Sequence, residues 1–418
     1  MSNSPFMNTI DRLPLDIVSG DGCRLIDAEG RSYLDFWGDE GVASLGYASP
    51  IVQSVFAKFA TTATPHRLPD AYPNELRTRA AAMLCKAARY DQAFFCNSGA
   101  EANEAAIKLA RRYWTKVREQ RDRWHVLTVE GNFHGRSGYA LAASDSQDSP
   151  YHKAGYGSHP QGFGVIHNDL DINRVRRWNS DEERYLPDSV KWDTVAAVIM
   201  APILGNNTVT TYPKAFWDRL EALRAEHGFL VIFDEVQVAM GRTTKFCAHH
   251  NQLVTFGFRP DICAIGKGIA GGLPAAAVLA DMEVSRAFVP GVHFSTFGAS
   301  LIVCEMMMEV IKWIENNHEA LVSREEQFHA SFQALMAEGL ITAFDGAGIH
   351  WGFTPNWKLG SHSFGGPDVI NVARSHGLLM LTHRHHARIR FTPPLNISAP
   401  ELTEAFSALR SALLVFKG

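Results

Sequence analysis

Short apolar runs alternate along this chain with stretches of helical periodicity. Ala93-Phe-Phe-Cys96 is a compact apolar run, followed by the small and polar turn Asn97-Ser-Gly-Ala100. Beyond the turn, Ala102, Ala105, Ala106, Leu109, Ala110, Tyr113 and Trp114 recur at the spacing of one helix face, which predicts a helix buried along that stripe. Val126–Val129, Val195–Met200, Leu230–Phe233 and Ile262–Ile265 are predicted as further strands. They are continuously apolar rather than alternating, as befits strands covered by helices on both faces. The expectation is an α/β unit with a mainly parallel sheet flanked by helices.

After Leu301 long helical patterns take over, and a second, α+β pattern runs from about Gly346 to Leu395. The early stretch Gly22–Asp35 has strand and turn signals of its own and is expected to pack with that C-terminal part. At 418 residues the chain exceeds what one core usually organises. The predicted division is an N-terminal segment 1–45, a large domain 46–300 and a smaller C-terminal domain 301–418.

Composition narrows the function classes. A formal net charge of −4 leaves no electrostatic footprint for nucleic acid or an anionic membrane, so a small-molecule substrate is expected. Met1–Leu15 has no apolar core of a secretory signal, and the longest apolar stretch, Val195–Leu204, is too short to span a bilayer. The six cysteines, Cys23, Cys85, Cys96, Cys247, Cys263 and Cys304, form no C-x-x-C pair, which points to reduced thiols and a cytoplasmic location.

Candidate chemistry sits at three strand ends, where a doubly wound sheet places its ligands. Asn97-Ser-Gly-Ala-Glu101 opens a helix and could bind a phosphate through backbone N–H groups, although Ser98-x-x-Glu101 also reads as a capping box. Asp234 follows the run Leu230–Phe233, where a buried carboxylate favours a cationic partner such as a protonated pyridine nitrogen; the alternative is a loop cap. Lys267 follows Ile262–Ile265 amid Gly266, Gly268, Gly271 and Gly272, and a desolvated lysine there becomes a nucleophile toward aldehydes. A nucleotide phosphate loop does not fit, because Asp261 stands where a glycine is required and Gly268 where Ser or Thr should follow the lysine. No metal is expected. In His383-Arg-His-His386 the neighbouring Arg384 and Arg388 oppose a cation, and His249-His250 reads as surface.

Loop, acid and lysine in this order are what a pyridoxal-phosphate site requires. From about Asp21 to Leu395 the chain resembles the class III aminotransferases of fold type I, the ornithine, acetylornithine and ω-amino-acid group. The segments that carry the resemblance are Phe95–Ala102, Asn132-Phe-His-Gly-Arg136, Asp234-Glu-Val-Gln237 with Gly241-Arg242, Gly266-Lys-Gly268 and Arg390-Phe-Thr-Pro-Pro-Leu395. The resemblance implies a pyridoxal 5'-phosphate held as a Schiff base on Lys267, with Lys267 and Asp234 catalytic. It places Ser98, Gly99 and Ala100 at the phosphate, Phe133 and Val236 against the two ring faces, Gln237 at the phenolic oxygen and His134 in the same site. Arg390, Arg136 and Trp37 are implied on the substrate side. Thr296, within Phe294-Ser-Thr-Phe-Gly298, would reach the phosphate of a neighbouring copy, which implies a homodimer with shared active sites. The implied reaction moves an amino group from an amino acid, a diamino or ω-amino acid among the candidates, to a 2-oxo acid. An aminomutase or epimerase on the same fold is the alternative.

Three departures bear on the substrate. Where the family usually reads Glu-Pro-Ile-Gln-Gly-Glu, this chain has Ala201-Pro-Ile-Leu-Gly-Asn206. The final glutamate of that motif pairs with the arginine matching Arg390, so Asn206 is expected to leave Arg390 open to carboxylates, with Glu235 among the acids that could still reach it. Asp39 and Glu40 stand where relatives mostly have small or apolar residues, as a charged clamp for a distal ammonium or as a solvated turn. Ala299-Ser300 replaces the usual Gly-Asn after Phe297-Gly298.

Overall fold

A computed structural model describes residues 6, 7, 9, 12–205, 209–358, 364–380 and 388–417. Asn206 and the cluster His383–His386 lie outside them. The predicted apolar runs all form strands of one nine-stranded sheet. Its members in chain order are β1 (Gln92–Cys96), β2 (His125–Val129), β3 (Phe163–Ile166), β4 (Val175–Asn179), β5 (Arg184–Asp188), β6 (Val195–Met200), β7 (Leu230–Asp234), β8 (Ile262–Ile265) and β9 (Ala276–Ala280). The order across the sheet is β1-β9-β8-β7-β6-β2-β3-β4-β5. The pairings β8-β7, β7-β6, β6-β2 and β2-β3 are parallel. Strand β9 runs against both neighbours, and β4 against both of its own. Consequently β1, β7 and β8 point the same way and end on the same edge. Every residue of β6, β7 and β8 is buried, which explains the unbroken apolar runs.

The helix after β1 spans Gly99–Arg112 and buries Ala102, Ala105, Ala106, Leu109 and Ala110 as its spacing predicts. It does not reach Trp114 as a regular α-helix. Tyr113–Val117 form a π-helical turn, in which Tyr113 and Trp114 both stay buried and the Trp114 indole donates to Ala196 O at 2.8 Å.

Both ends of the chain meet beside this sheet. Ile17–Asp21, Arg24–Asp27 and Ser32–Asp35 form an antiparallel meander, and Ser32–Asp35 pairs in parallel with the late strand Leu378–Leu379. A second antiparallel sheet joins Ile341–Ala347, His350–Pro355 and Ile389–Phe391. The long helix His318–Ala337 packs against these strands through an aromatic core, while Leu301–Asn316 packs against the helices Pro50–Thr61 and Glu75–Ala88 and the turn after Lys267. Phe332 is fully buried there, with ring centroids 5.5 Å from Phe353, 5.8 Å from Phe391 and 4.8 Å from Phe406. The core is continuous with Cys263, Ile265 and Ile269 beside Lys267, so packing at the C-terminal end supports the strand that carries the lysine.

Phe332→Ala removes a ring from this closed cluster and is expected to cost about 3–5 kcal/mol of stability. The shift in the urea midpoint measures it, and a loss below about 1 kcal/mol would mean that the cluster does not hold the C-terminal part together.

Candidate active site

The same-direction ends of β1, β7 and β8 bring the three candidate segments to one edge. At β1, Ser98 caps the following helix: its Oγ accepts from Glu101 N at 3.2 Å, while Glu101 Oε2 accepts from Asn97 N at 3.2 Å. The Ser98 half of the capping box is therefore formed, while the Glu101 carboxylate takes the N–H of Asn97 instead of that of Ser98. This leaves the bare backbone of Ser98-Gly99-Ala100 at a helix N-terminus. Val236 leans on this loop. A Cβ at Gly99 would lie 2.6 Å from Val236 Cγ1, and one at Gly266 3.2 Å from the same atom. Glycine at both places lets Val236 join the β1 loop to the β8 loop.

Asp234 closes β7 as a buried residue and does more than cap the loop that follows. Its Oδ2 accepts from Asn103 Nδ2 at 2.7 Å and from His134 Nδ1 at 2.8 Å, and its Oδ1 from Val236 N at 3.1 Å. His134 is itself buried, with Nε2 3.1 Å from Thr128 Oγ1. Both ring nitrogens of His134 are thus engaged, Nδ1 with Asp234 and Nε2 with Thr128. Asn103 also donates to His134 O at 2.8 Å, which ties the helix, the acid and the histidine together. Sequence reasoning missed Asn103. Its signal was a polar residue on the otherwise alanine-lined face of the predicted helix.

Lys267 begins a short 3-10 turn after β8 at φ 48°, a left-handed conformation that is costly for a residue with a Cβ. Its side chain is 27% exposed, and its Nζ lies 4.0 Å from Glu40 Oε2. Burial lowers its pKa to about 8, with Glu40 and Asp234 pulling it up and Arg390 pushing it down.

Arg390 is not open, contrary to what the loss of the usual glutamate implies. Its Nη2 pairs with Glu40 Oε2, and its Nη1 donates to Gly205 O at 2.9 Å. The acid comes from a different part of the chain. Gly38, Asp39, Glu40 and Gly41 all have positive φ (60°, 49°, 59° and 90°), a left-handed run that curls the N-terminal segment over the cleft. Glu40 is held there on three sides: its Oε1 accepts from Trp37 Nε1 at 3.1 Å, its Oε2 faces Arg390, and its backbone O accepts from Gln237 Nε2 at 3.1 Å. Glu40 is therefore no solvated turn residue, while Asp39 beside it is exposed. Trp37 and Gln237, both singled out from the sequence, meet at this one residue, Trp37 at its carboxylate and Gln237 at its backbone carbonyl.

Glu235 does not approach Arg390. Its oxygens accept from Ala248 N, from His249 N at 3.1 Å and from His249 Nδ1 at 2.6 Å. That pairing overturns the surface reading of His249, which is buried because the neighbouring acid needs its N–H; His250 is half-buried. Cys247 and Cys263 lie against this pair, and burial raises both thiols.

The remaining candidates are less closely knit. Phe133 is half-buried, with its ring 5.9 Å from the Arg136 guanidinium carbon. Arg136 itself is exposed and lies 3.4 Å from His152 Nε2. Thr296 is exposed, and its carbonyl accepts from Arg67 Nη2. Its neighbour Ser295 touches the β1 loop of the same chain, accepting from Asn97 Nδ2 at 3.0 Å. Two further buried groups escaped the sequence reading as members of the site. Arg242 donates to Ile349 O and Pro393 O, and His350 is held well below its ordinary pKa by burial and by Arg390, Arg242 and Lys267.

Comparison with known proteins agrees with this geometry. The family model described as aminotransferase class-III matches residues 6–413. An acetylornithine aminotransferase of Thermosynechococcus vestitus is 34% identical over 417 residues, covering 97% of this chain and 94% of its own. The crystal structure of an ornithine aminotransferase from Toxoplasma gondii superposes with a TM-score of 0.83 at 25% identity, covering 97% of this chain and 92% of the other. An amine transaminase from an uncultivated Pseudomonas species shares the fold at a TM-score of 0.81 and 21% identity, covering 99% of each chain. The chain belongs to the class III aminotransferases and is a pyridoxal-phosphate-dependent enzyme that transfers an amino group from an amino donor to a 2-oxo acid.

Proposed function

We propose that Lys267 carries the cofactor and that Glu40 and Arg390 together read the substrate's charge. The observation that supports this most strongly is one carboxylate, Glu40, standing between a desolvated lysine and a buried guanidinium. The residues present fit pyridoxal phosphate. The bare backbone at Ser98, Gly99 and Ala100 suits its phosphate, Phe133 and Val236 suit its ring faces, and Gln237 suits its phenolic oxygen. Asp234, aimed by the donors Asn103 and His134, suits a protonated ring nitrogen. Bound pyridoxal phosphate supplies an electron sink for the pair released when the substrate loses a proton. Lys267, its amine neutral in a substantial fraction near pH 8, can first take that proton and then return it.

On the substrate side, Glu40 occupies the guanidinium that a substrate carboxylate would need. A 2-oxo acid must displace it, whereas a donor with a distal ammonium can use it. We therefore place the substrates as an amino acid bearing a second, terminal amine and a 2-oxo acid, in line with relatives named for acetylornithine and ornithine. Trp37 borders this end, and Arg136, exposed beside His152 and Phe133, keeps its proposed place on the substrate side from the family resemblance alone. The exposed rings of Phe294 and Phe297, 63% and 65% accessible beside Thr296, support a second copy covering that surface and Thr296 serving its partner's phosphate site. The division into 1–45, 46–300 and 301–418 is proposed on the pairing of Ser32–Asp35 with Leu378–Leu379. Among the described residues no helix is long and apolar enough to cross a membrane.

Asp234→Asn is expected to retain the cofactor but slow proton abstraction by at least a hundredfold, since a neutral amide no longer favours ring protonation. Single-turnover absorbance of the first half-reaction checks this, and an unchanged rate removes Asp234 from the role.

Glu40→Gln removes the charge that competes for Arg390. The KM for a 2-oxo acid should fall by the equivalent of about 1–2 kcal/mol, and that for a diamino donor should rise. Both KM values unchanged would mean that Glu40 does not read the substrate.

The same variant tests the lysine. Glu40 raises the Lys267 pKa, and only the neutral amine attacks the cofactor aldehyde. The rate at which apoenzyme recaptures pyridoxal phosphate should climb with pH through about 8 in the wild-type protein. In Glu40→Gln that rise should lie at lower pH, so recapture at pH 7 is faster. A rise at the same or a higher pH contradicts the assignment.

A further inference from the structure

Lys153, at the end of the short helix Ser149–Lys153, is 1% exposed and among the largest fully buried side chains. Lysine is almost never buried this deeply without an acid beside it. Here the Nζ donates to two neutral acceptors, Ala142 O at 3.2 Å and Tyr185 Oη at 2.8 Å, and among the described residues no carboxylate lies within ion-pair reach. The acid that attracts it, Asp145, is already engaged by Arg176 Nη2 at 2.7 Å and by Gly131 N at 3.2 Å. An ammonium has three N–H donors and meets two oxygen acceptors here, with the Tyr185 ring centroid 4.9 Å from the Nζ and Tyr185 itself hydrogen-bonded toward Asp145.

A cavity of about 40 Å³ lies against this lysine, walled by Phe163 of β3, Trp178 of β4 and Tyr185 of β5 and reaching the exposed Gln161. One water needs roughly 10–15 Å³, so the space admits a group of a few heavy atoms and no nucleotide. Its walls combine aromatic faces with donors. The Trp178 ring centroid is 5.9 Å from Lys153 Nζ, and the buried Nε1 of Trp178 and Nε of Arg177 have no acceptor. The cavity lies toward the far strands of the sheet, although the helix that carries Lys153 also carries His152 beside Arg136 and Phe133. β4 stands five strand positions from β8, which carries Lys267, or about 24 Å at the usual strand spacing.

We propose that Lys153 anchors an accessory binding site for a small organic carboxylate, with the short hydrocarbon part against Phe163 and Trp178. The carboxylate supplies the charge that the buried ammonium lacks, and the aromatic walls favour an organic acid over inorganic phosphate. Burial lowers the Lys153 pKa to about 8, consistent with an ammonium that an anion would stabilise.

Acetate is the probe, since it cannot enter the transamination reaction. In the Arg390→Met holoenzyme, where the active-site guanidinium is gone, calorimetric titration is expected to show one saturable acetate site per chain. Adding Lys153→Met, which keeps the apolar stem and deletes the charge, should weaken that binding at least tenfold. Loss of all saturable binding in Arg390→Met alone, or equal binding in the single and double variants, overturns the proposal. If the double variant does not fold, crystals of the wild-type holoenzyme soaked in 3-bromopropionate decide it. An anomalous bromine peak between Phe163 and Trp178 supports the site, and bromine peaks found only elsewhere, or none, refute it.

Discussion

The desolvated amine of Lys267 sets the requirement that its surroundings meet. An amine at the end of a buried strand must lose its proton readily, yet it stands beside Glu40 and Asp234, which favour the charged form. Burial outweighs them because both acids are committed to other cations or donors: Glu40 to Arg390 and the Trp37 indole, Asp234 to Asn103 and His134. The cleft can thus hold two carboxylates close to a lysine without locking it as an ammonium. The same contacts draw the N-terminal turn, the sheet and the late strand Ile389–Phe391 around a single point. On the proposed roles, substrate reading and cofactor attachment would share one electrostatic balance.

Much of this was legible in the sequence. Strands buried on both faces betray themselves as unbroken apolar runs, and the residue that ends such a run, Asp234 or Lys267, is fixed by a rigid element. The loop Asn97–Glu101 was ambiguous in the sequence and is dual in the structure, since a capped helix start can also present bare N–H groups. What the sequence concealed were partnerships between segments distant along the chain. Glu40 and Arg390 are 350 residues apart. No periodicity relates them, and the left-handed run from Gly38 to Gly41 that aims Glu40 depends on tertiary support for two non-glycine residues. Reading Arg390 as open was the reasonable inference from Asn206 alone; the acid arrived from another element. His249 was misread for a similar reason, because only folding places its N–H against Glu235.

Comparison with relatives sharpens which features are this chain's own. A fold shared with an ornithine aminotransferase at a TM-score of 0.83 leaves little freedom in the sheet that bears Asp234 and Lys267. The freedom lies at the rim, where a guanidinium can be covered by an acid from any segment that reaches it. On the proposed roles, an acid carried by this N-terminal turn would couple substrate binding to a left-handed stretch of backbone, since Glu40 also holds Trp37 and Gln237.

The central claim is that Lys267, and no other lysine, bears the cofactor. Borohydride reduction of the holoenzyme followed by peptide mass spectrometry tests it directly. The account predicts a single pyridoxyl-phosphate adduct on the peptide containing Ile265-Gly-Lys267-Gly268. An adduct on a different lysine, such as the buried Lys153, with Lys267 unmodified, would contradict it.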